Sequence, residues 1–343
     1  MQYVQTAAFG VSAIKEGMSE GKSRIMKVLL IIIAVLVCVA IVFFIMTYPS
    51  YHREMRGARD RLLAGSKVLK TDQGDIEYSV KGEGTPVLLL HGAGGGYDQG
   101  LWSGKIGLGQ AGYKFISVSR FGFLRSPIPA QASIRAQASL YRALLDHLNI
   151  ERAVVVGASA GGPSATQFAN DYPDRCSALI LLSAVSMARA PGDKDPFYVN
   201  IIHLIQQSDS VYWLFTKSMQ SLILNLMGIP SKVYGSFTPE QKELAQEMLD
   251  IMHPMSQRVK GTINDGKMIQ RDGVSTNHIS APTLIIHAKD DALVSYGHAE
   301  NAHQRIKQSK LILFDSGGHG MLSQMEKVRD LTRSFLKDIP EKI

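Results

Sequence analysis

Gly157-Ala158-Ser159-Ala160-Gly161 constrains this chain of 343 residues more than any other stretch, because of what flanks it. Ahead of it, Ala153-Val154-Val155-Val156 is a short β-branched run that reads as a fully buried strand. Behind it, the segment from Pro163 to Asp171 reads as a helix that stops before Pro173. A serine between a strand and a helix, set among glycines and alanines, implies a sharp turn with little room for side chains. Such a turn lifts the hydroxyl above the end of a sheet and places it at a helix N-terminus, where backbone N–H groups can meet negative charge.

Three further pieces stand in the order such a serine needs. Upstream, the apolar run Val87-Leu88-Leu89-Leu90 enters His91-Gly92-Ala93-Gly94-Gly95-Gly96. Glycines let a loop fold back with its N–H groups facing a cavity. Ala93 N–H, paired with Ala160 N–H, is the expected oxyanion hole. A phosphate-cradling loop is excluded by spacing: the glycines miss G-x-G-x-x-G, and Gly104-Lys105-Ile106 lacks the Ser or Thr of a P-loop. Downstream, Thr283-Leu284-Ile285-Ile286-His287 reads as a strand ending in Ala288-Lys289-Asp290-Asp291, and a later apolar run ends in Phe314-Asp315-Ser316-Gly317-Gly318-His319. A nucleophilic serine needs a base to take its proton, and that base needs a carboxylate to fix its tautomer. His319 is the candidate base, and either Asp290 or Asp291 can face it.

These residues resemble the α/β-hydrolase superfamily from about Ile76 to the C-terminus. The resemblance implies Ser159 as nucleophile, His319 as base and Asp291, five positions along counting from His287, as acid. It also implies a water-dependent acyl-enzyme cycle that needs no cofactor. Serine rather than aspartate as nucleophile disfavours the related haloalkane dehalogenases and epoxide hydrolases. Ser119-Arg120-Phe121-Gly122-Phe123-Leu124-Arg125-Ser126 resembles the family's Asp-x-x-Gly-x-Gly-x-Ser loop, with Ser119 in place of the aspartate and Leu124 in place of the second small residue. The expected activity is cleavage of lipophilic carboxylic esters. Carbon–carbon bond cleavage beside a ketone, and a silent ligand-binding relative, are the alternatives; the complete set of three groups argues against the silent one.

Val28 to Tyr48 is an apolar run without charge. About twenty such residues at ~1.5 Å each match a ~30 Å hydrocarbon core, so the expectation is a single-pass N-terminal membrane anchor. A cleaved signal peptide is disfavoured by the length of the run and the lack of a small-residue cleavage site. Lys15, Lys22, Arg24 and Lys27 precede the run, and Arg53, Arg56, Arg59, Arg61 and Lys67 follow it, so charge does not fix which side the catalytic part occupies. The formal net charge of +7 thus owes much to residues flanking a bilayer, the expected partner beside a small-molecule ester. Nothing in the pattern points to nucleic acid or an obligate protein partner. Metal-ligand spacings are absent, His298 and His303 lying off one helical face, and Cys38 and Cys176 form no expected disulfide.

The expected organisation is a flexible tail (1–27), the span (28–48), a juxtamembrane linker (49–70) and an α/β core (71–186 and 279–343) interrupted by a helical cap (187–278). Strand candidates are Ile76–Val80, Val87–Leu90, Phe115–Val118, Ala153–Val156, Ala178–Leu182, Thr283–His287 and Leu311–Phe314. They alternate with helical patterns at Ser133–Leu148, Pro163–Asp171, Gly297–Ile306 and Leu322–Leu336, which argues a doubly wound, mostly parallel sheet. The cap carries helical patterns at Phe197–Gln206, Val211–Met227 and Pro239–Met252. It is rich in Met and bulky apolar residues, among them Trp213, Phe215, Met219, Leu222, Met252 and Met255, which read as internal packing or as an adaptable pocket wall. His253 to Arg258 and Asn264-Asp265 are polar positions without an assigned role.

Overall fold

The computed structural model describes residues 2–188 and 197–339; side chains at 2–25, 29, 36, 39, 40, 43, 44 and 197–200 lie outside that description. Residue contacts divide the chain into a unit ending at Arg56 and a compact unit beginning at Gly57. Helix α1 covers Gln2–Ala64, so it includes the stretch expected as a tail and most of the expected linker. The expected membrane span falls on this helix, and six of its side chains lie outside those described. Among the described residues no helix is long and apolar enough to cross a membrane.

Eight described strands form one sheet: β1 (Lys67–Thr71), β2 (Gly74–Lys81), β3 (Thr85–Leu90), β4 (Tyr113–Val118), β5 (Ala153–Ala158), β6 (Cys176–Leu182), β7 (Thr283–Ala288) and β8 (Ser309–Phe314). Their spatial order is β1-β2-β4-β3-β5-β6-β7-β8. β1 and β2 pair antiparallel at one edge, β2 pairs antiparallel with β4, and the remaining pairings are parallel. After α1, the helices are α2 (Tyr97–Leu108), α3 (Ile134–His147) and α4 (Gly162–Asp171). Between β6 and β7 come α5 (Phe197–Gln206), α6 (Asp209–Ser218), α7 (Gln220–Leu226), α8 (Ser231–Gly235), α9 (Pro239–Ile251) and α10 (Val259–Arg271), and then α11 (Gly297–Arg305) and α12 (Met325–Lys337) complete the order.

Alternation along the strands builds a core on each face. Leu88 and Leu90 of β3 join Tyr141, Leu144, Phe168 and Ala302 on the side of α3, α4 and α11. Val87 and Leu89 point the other way, toward Leu108 and Val328 of α2 and α12. Strands buried on both faces read as unbroken apolar runs, which is why the central ones are plain in the sequence. β1 is not: Lys67 and Lys70 interrupt it, as suits an edge strand that must resist pairing with another chain.

The insertion between β6 and β7 has its own apolar cluster, including Leu224, Val233, Phe237 and Leu249. The single helix expected over Val211–Met227 is two. Met219 closes α6 and opens α7 in a non-helical conformation, and Ser208 accepts the Val211 N–H at the start of α6.

The chain passes from β3 to β4 on one side and then crosses to β5 on the other. This reversal makes the carboxyl ends of β3 and β5 the switch point of the sheet, the place where ligands of open α/β sheets bind.

Candidate active site

Ser159 follows the buried central strand β5 directly and has φ 49°, a left-handed conformation uncommon outside glycine. It opens a short 3₁₀ turn, Ser159–Gly161, that leads into α4. The flanking glycines are required by contact. A Cβ at Gly161 would collide with the carbonyl oxygens of Leu90 and His91, and one at Gly157 would lie 2.6 Å from Ala165 Cβ. Ser159 is thereby held against the end of β3, with its side chain only partly buried.

The candidate acid and base lie in the loops after β7 and β8, beyond β6 in the sheet. His319 Nε2 lies 2.9 Å from Ser159 Oγ, and its Nδ1 lies 2.8 Å from Asp291 Oδ2. A carboxylate only accepts, so Nδ1 carries the proton and Nε2 is left to accept from the serine hydroxyl. Asp291 Oδ1 accepts the N–H groups of Leu293 and Val294, and Oδ2 also lies 3.1 Å from Nε2 of the fully buried His287. Burial alone would push the Asp291 carboxyl up; hydrogen bonds from His287, His319 and the backbone overcome it and hold the group well below the usual carboxylate range.

Asp290 does not face His319 and is not left to solvent. Its Oδ1 accepts from Gly317 N and Gly318 N at 2.9 and 2.8 Å, and its Oδ2 from Ser316 Oγ at 2.7 Å. Lys289 pairs with Asp315 instead. One carboxylate faces His319 and the adjacent one organises the loop that carries it. Gly228, at the end of α7, was likewise not legible: its carbonyl accepts from both His319 N and Ala292 N, tying the two loops together.

The His91–Gly96 loop runs over Ser159. A Cβ at Gly92 would sit 3.1 Å from Ser159 Cβ and 3.7 Å from Oγ. Gly94 N–H is committed to Thr262 Oγ1 and Gly95 N–H to the Gly92 carbonyl, while Ala93 N–H makes no hydrogen bond among the described residues. Ala160 is the second residue of the turn that Ser159 opens. Met252 and Met255 cover the same loop, since a Cβ at Gly94 would meet their methyl carbons at 2.5 and 3.5 Å. Met219 and Leu222, also candidates for a pocket wall, are exposed.

Buried charge surrounds this loop. Arg120 forms a bidentate pair with Asp265 at 2.5 and 2.6 Å, and Arg258 does the same with Asp98 at 2.9 and 2.8 Å. Burial pushes the Asp265 carboxyl up to about 6, against the pull of Arg120. Burial and the nearby Arg120 hold His91 well below the ordinary histidine value, so its ring is neutral. At the loop that departs from the family pattern, Ser119 Oγ donates to Glu77 of β2 at 2.8 Å and Arg125 Nε donates to it at 2.7 Å. Glu77 thus places a carboxylate against both ends of this loop.

The alpha/beta hydrolase fold family model matches residues 85–324. The chain is an α/β-hydrolase. Over 258 residues it is 32% identical to an uncharacterized hydrolase, YcgS, of Bacillus subtilis, covering 72% of this chain and 89% of the relative. It is 28% identical over 284 residues to a 2-hydroxy-6-oxo-6-phenylhexa-2,4-dienoate hydrolase of Comamonas testosteroni, covering 78% and 93%. An esterase structure from Exiguobacterium antarcticum superposes with a TM-score of 0.61 at 25% identity, covering 80% of this hydrolase and all of that chain.

Proposed function

We propose that this hydrolase is a serine esterase anchored by its N-terminal helix and acting on lipophilic carboxylic esters. The observation that carries the reading is the hydrogen-bonded series Asp291–His319–Ser159, with the serine held at φ 49° above β5. Ser159 Oγ attacks the ester carbonyl carbon as its proton passes to His319 Nε2. The N–H groups of Ala93 and Ala160 stabilise the tetrahedral oxyanion, and the alcohol leaves with the proton from His319. Water, deprotonated by His319, then releases the acid. Loss of one oxyanion donor in such a site costs ~10²–10³ in turnover. Helices α5–α10 serve as the cap, with Met252 and Met255 as an adaptable wall.

The charge-free run on α1 motivates the anchor. Its described apolar side chains, Ile31 and Met46 among them, are 63% and 75% exposed, a surface that favours removal from water.

The Comamonas relative supports a second reading, carbon–carbon bond cleavage in a dienoate. Such a substrate carries a carboxylate, and the buried guanidinium groups beside the glycine loop are already neutralised by Asp265 and Asp98. That favours a neutral ester. Turnover of nitrophenyl esters from acetyl to dodecanoyl, measured beside a 2-hydroxy-6-oxo-dienoate, separates the two. The esterase reading predicts the higher kcat/KM on an ester of intermediate or long chain; a dienoate preferred by tenfold or more, roughly one step of 1.4 kcal/mol, overturns it.

A further inference from the structure

The Gly92 carbonyl is held from three directions. His91 Nδ1–H donates to it at 2.7 Å, Arg120 Nη2 at 3.2 Å and Gly95 N–H at 3.3 Å. The same guanidinium reaches the preceding carbonyl, with Arg120 Nε donating to the His91 oxygen at 2.8 Å. Arg120 also sets the histidine: its backbone N–H donates to His91 Nε2 at 3.1 Å, which leaves the ring proton on Nδ1, aimed at Gly92. A peptide unit is planar and trans, so fixing the Gly92 carbonyl fixes the N–H of Ala93 in the opposite direction. That N–H, in the loop that runs over Ser159, makes no hydrogen bond among the described residues.

Arg120 is in turn fixed by Asp265 of α10, 145 residues away in sequence. Both side chains are buried, at 1% and 4% exposure, and both Nη atoms are engaged by the carboxylate. α10 also holds the glycine loop directly through Thr262 Oγ1 and Gly94 N–H. The helix approaches the Arg120 loop so closely that a Cβ at Gly261 would collide with the Phe123 ring.

We infer that Arg120, clamped by Asp265, is the positioning residue of the oxyanion hole, through which the seating of α10 determines where the Ala93 N–H points. The inference rests on the serine-hydrolase reading and adds to it a means by which the insertion controls turnover without touching the substrate. Donors stacked on one carbonyl also polarise its peptide, which strengthens the N–H on the far side. The ion pair orients a peptide and takes no part in the chemistry.

The test compares the full-length wild type with Arg120→Lys, which keeps the charge for Asp265 and cannot span two carbonyls, and with the double variant Arg120→Met/Asp265→Leu. Replacing both members of a buried pair with apolar residues of similar volume is commonly neutral for stability, so the double variant separates positioning from folding. The readouts are kcat and KM on a nitrophenyl ester, inhibition by a trifluoromethyl ketone that forms a tetrahedral adduct, and fluorophosphonate labelling of Ser159. A displaced donor lowers kcat by about 10²-fold in both variants with KM nearly unchanged. Affinity for the trifluoromethyl ketone falls in step with kcat, because that adduct resembles the transition state. Recovery of wild-type kcat in the double variant, or a loss carried by KM alone, overturns the inference while leaving the serine-hydrolase reading intact. A wild-type enzyme that fails to label at Ser159 overturns that reading and this inference with it.

Discussion

Two adjacent carboxylates do different work after β7. Asp291 accepts from His319 and two backbone N–H groups, with His287 Nε2 3.1 Å away, and Asp290 accepts from the backbone of the His319 loop and from Ser316. Removing the orienting carboxylate of such a site lowers turnover by about 10⁴, so Asp291→Asn is expected to lose that much with binding little changed. Asp290→Ala leaves two backbone donors without their acceptor, which costs about 1–3 kcal/mol of stability. By loosening the loop it lowers turnover by about 10²-fold or less. Steady-state kinetics and thermal unfolding of both variants check this; a larger turnover loss in Asp290→Ala than in Asp291→Asn would reverse the assignment. The depressed Asp291 carboxyl also fixes a sign with pH. Its stabilising contribution is present above the ordinary aspartate value of about 3.9 and is lost progressively as pH falls from there through the depressed folded value.

At the scale of elements, the C-terminal turns of α1 belong with the sheet. Ala58 and Leu62 are buried, the Leu62 carbonyl accepts from Tyr97 Oη at 2.9 Å, and Arg61 reaches Asp98 and the Ile251 carbonyl. If α1 anchors the enzyme as proposed, deleting residues 1–50 is expected to release a soluble and active enzyme from the membrane fraction. Deleting through Ser66 uncovers Leu62's partners and costs about 1.5–3 kcal/mol from that side chain alone. A carbonate wash of the intact protein and esterase assays of both truncations test this. Persistence of the shorter deletion in aggregates would place the first fifty residues within the fold. The central strands were legible because burial on both faces demands unbroken apolar runs, and Ser159, His319 and the two aspartates stood out as candidates because they lie in the short polar segments that follow apolar runs. α10 was not, since Gly261, Gly266 and the polar pair Asn264-Asp265 dilute its helical pattern. The Arg120–Asp265 pair left no local mark, because no periodicity connects residues 145 positions apart.

At the scale of the molecule, the sheet order decides the rest. β3 and β5 are neighbours although β4 lies between them in sequence, so the glycine loop after β3 and the serine after β5 meet at the same end of the sheet. β7 and β8 continue the parallel sheet beyond β6 and deliver Asp291 and His319 from the same end. This convergence supports Ser159 as the nucleophile, and covalent labelling reads that role out without an intervening step. The intact enzyme treated with a fluorophosphonate is expected to carry one adduct, on the peptide containing Ser159. Ser159→Ala is expected to carry none, with ester turnover reduced by about 10⁴-fold or more. Labelling that persists in the variant, or turnover that survives the loss of the hydroxyl, would rule out Ser159 as the nucleophile.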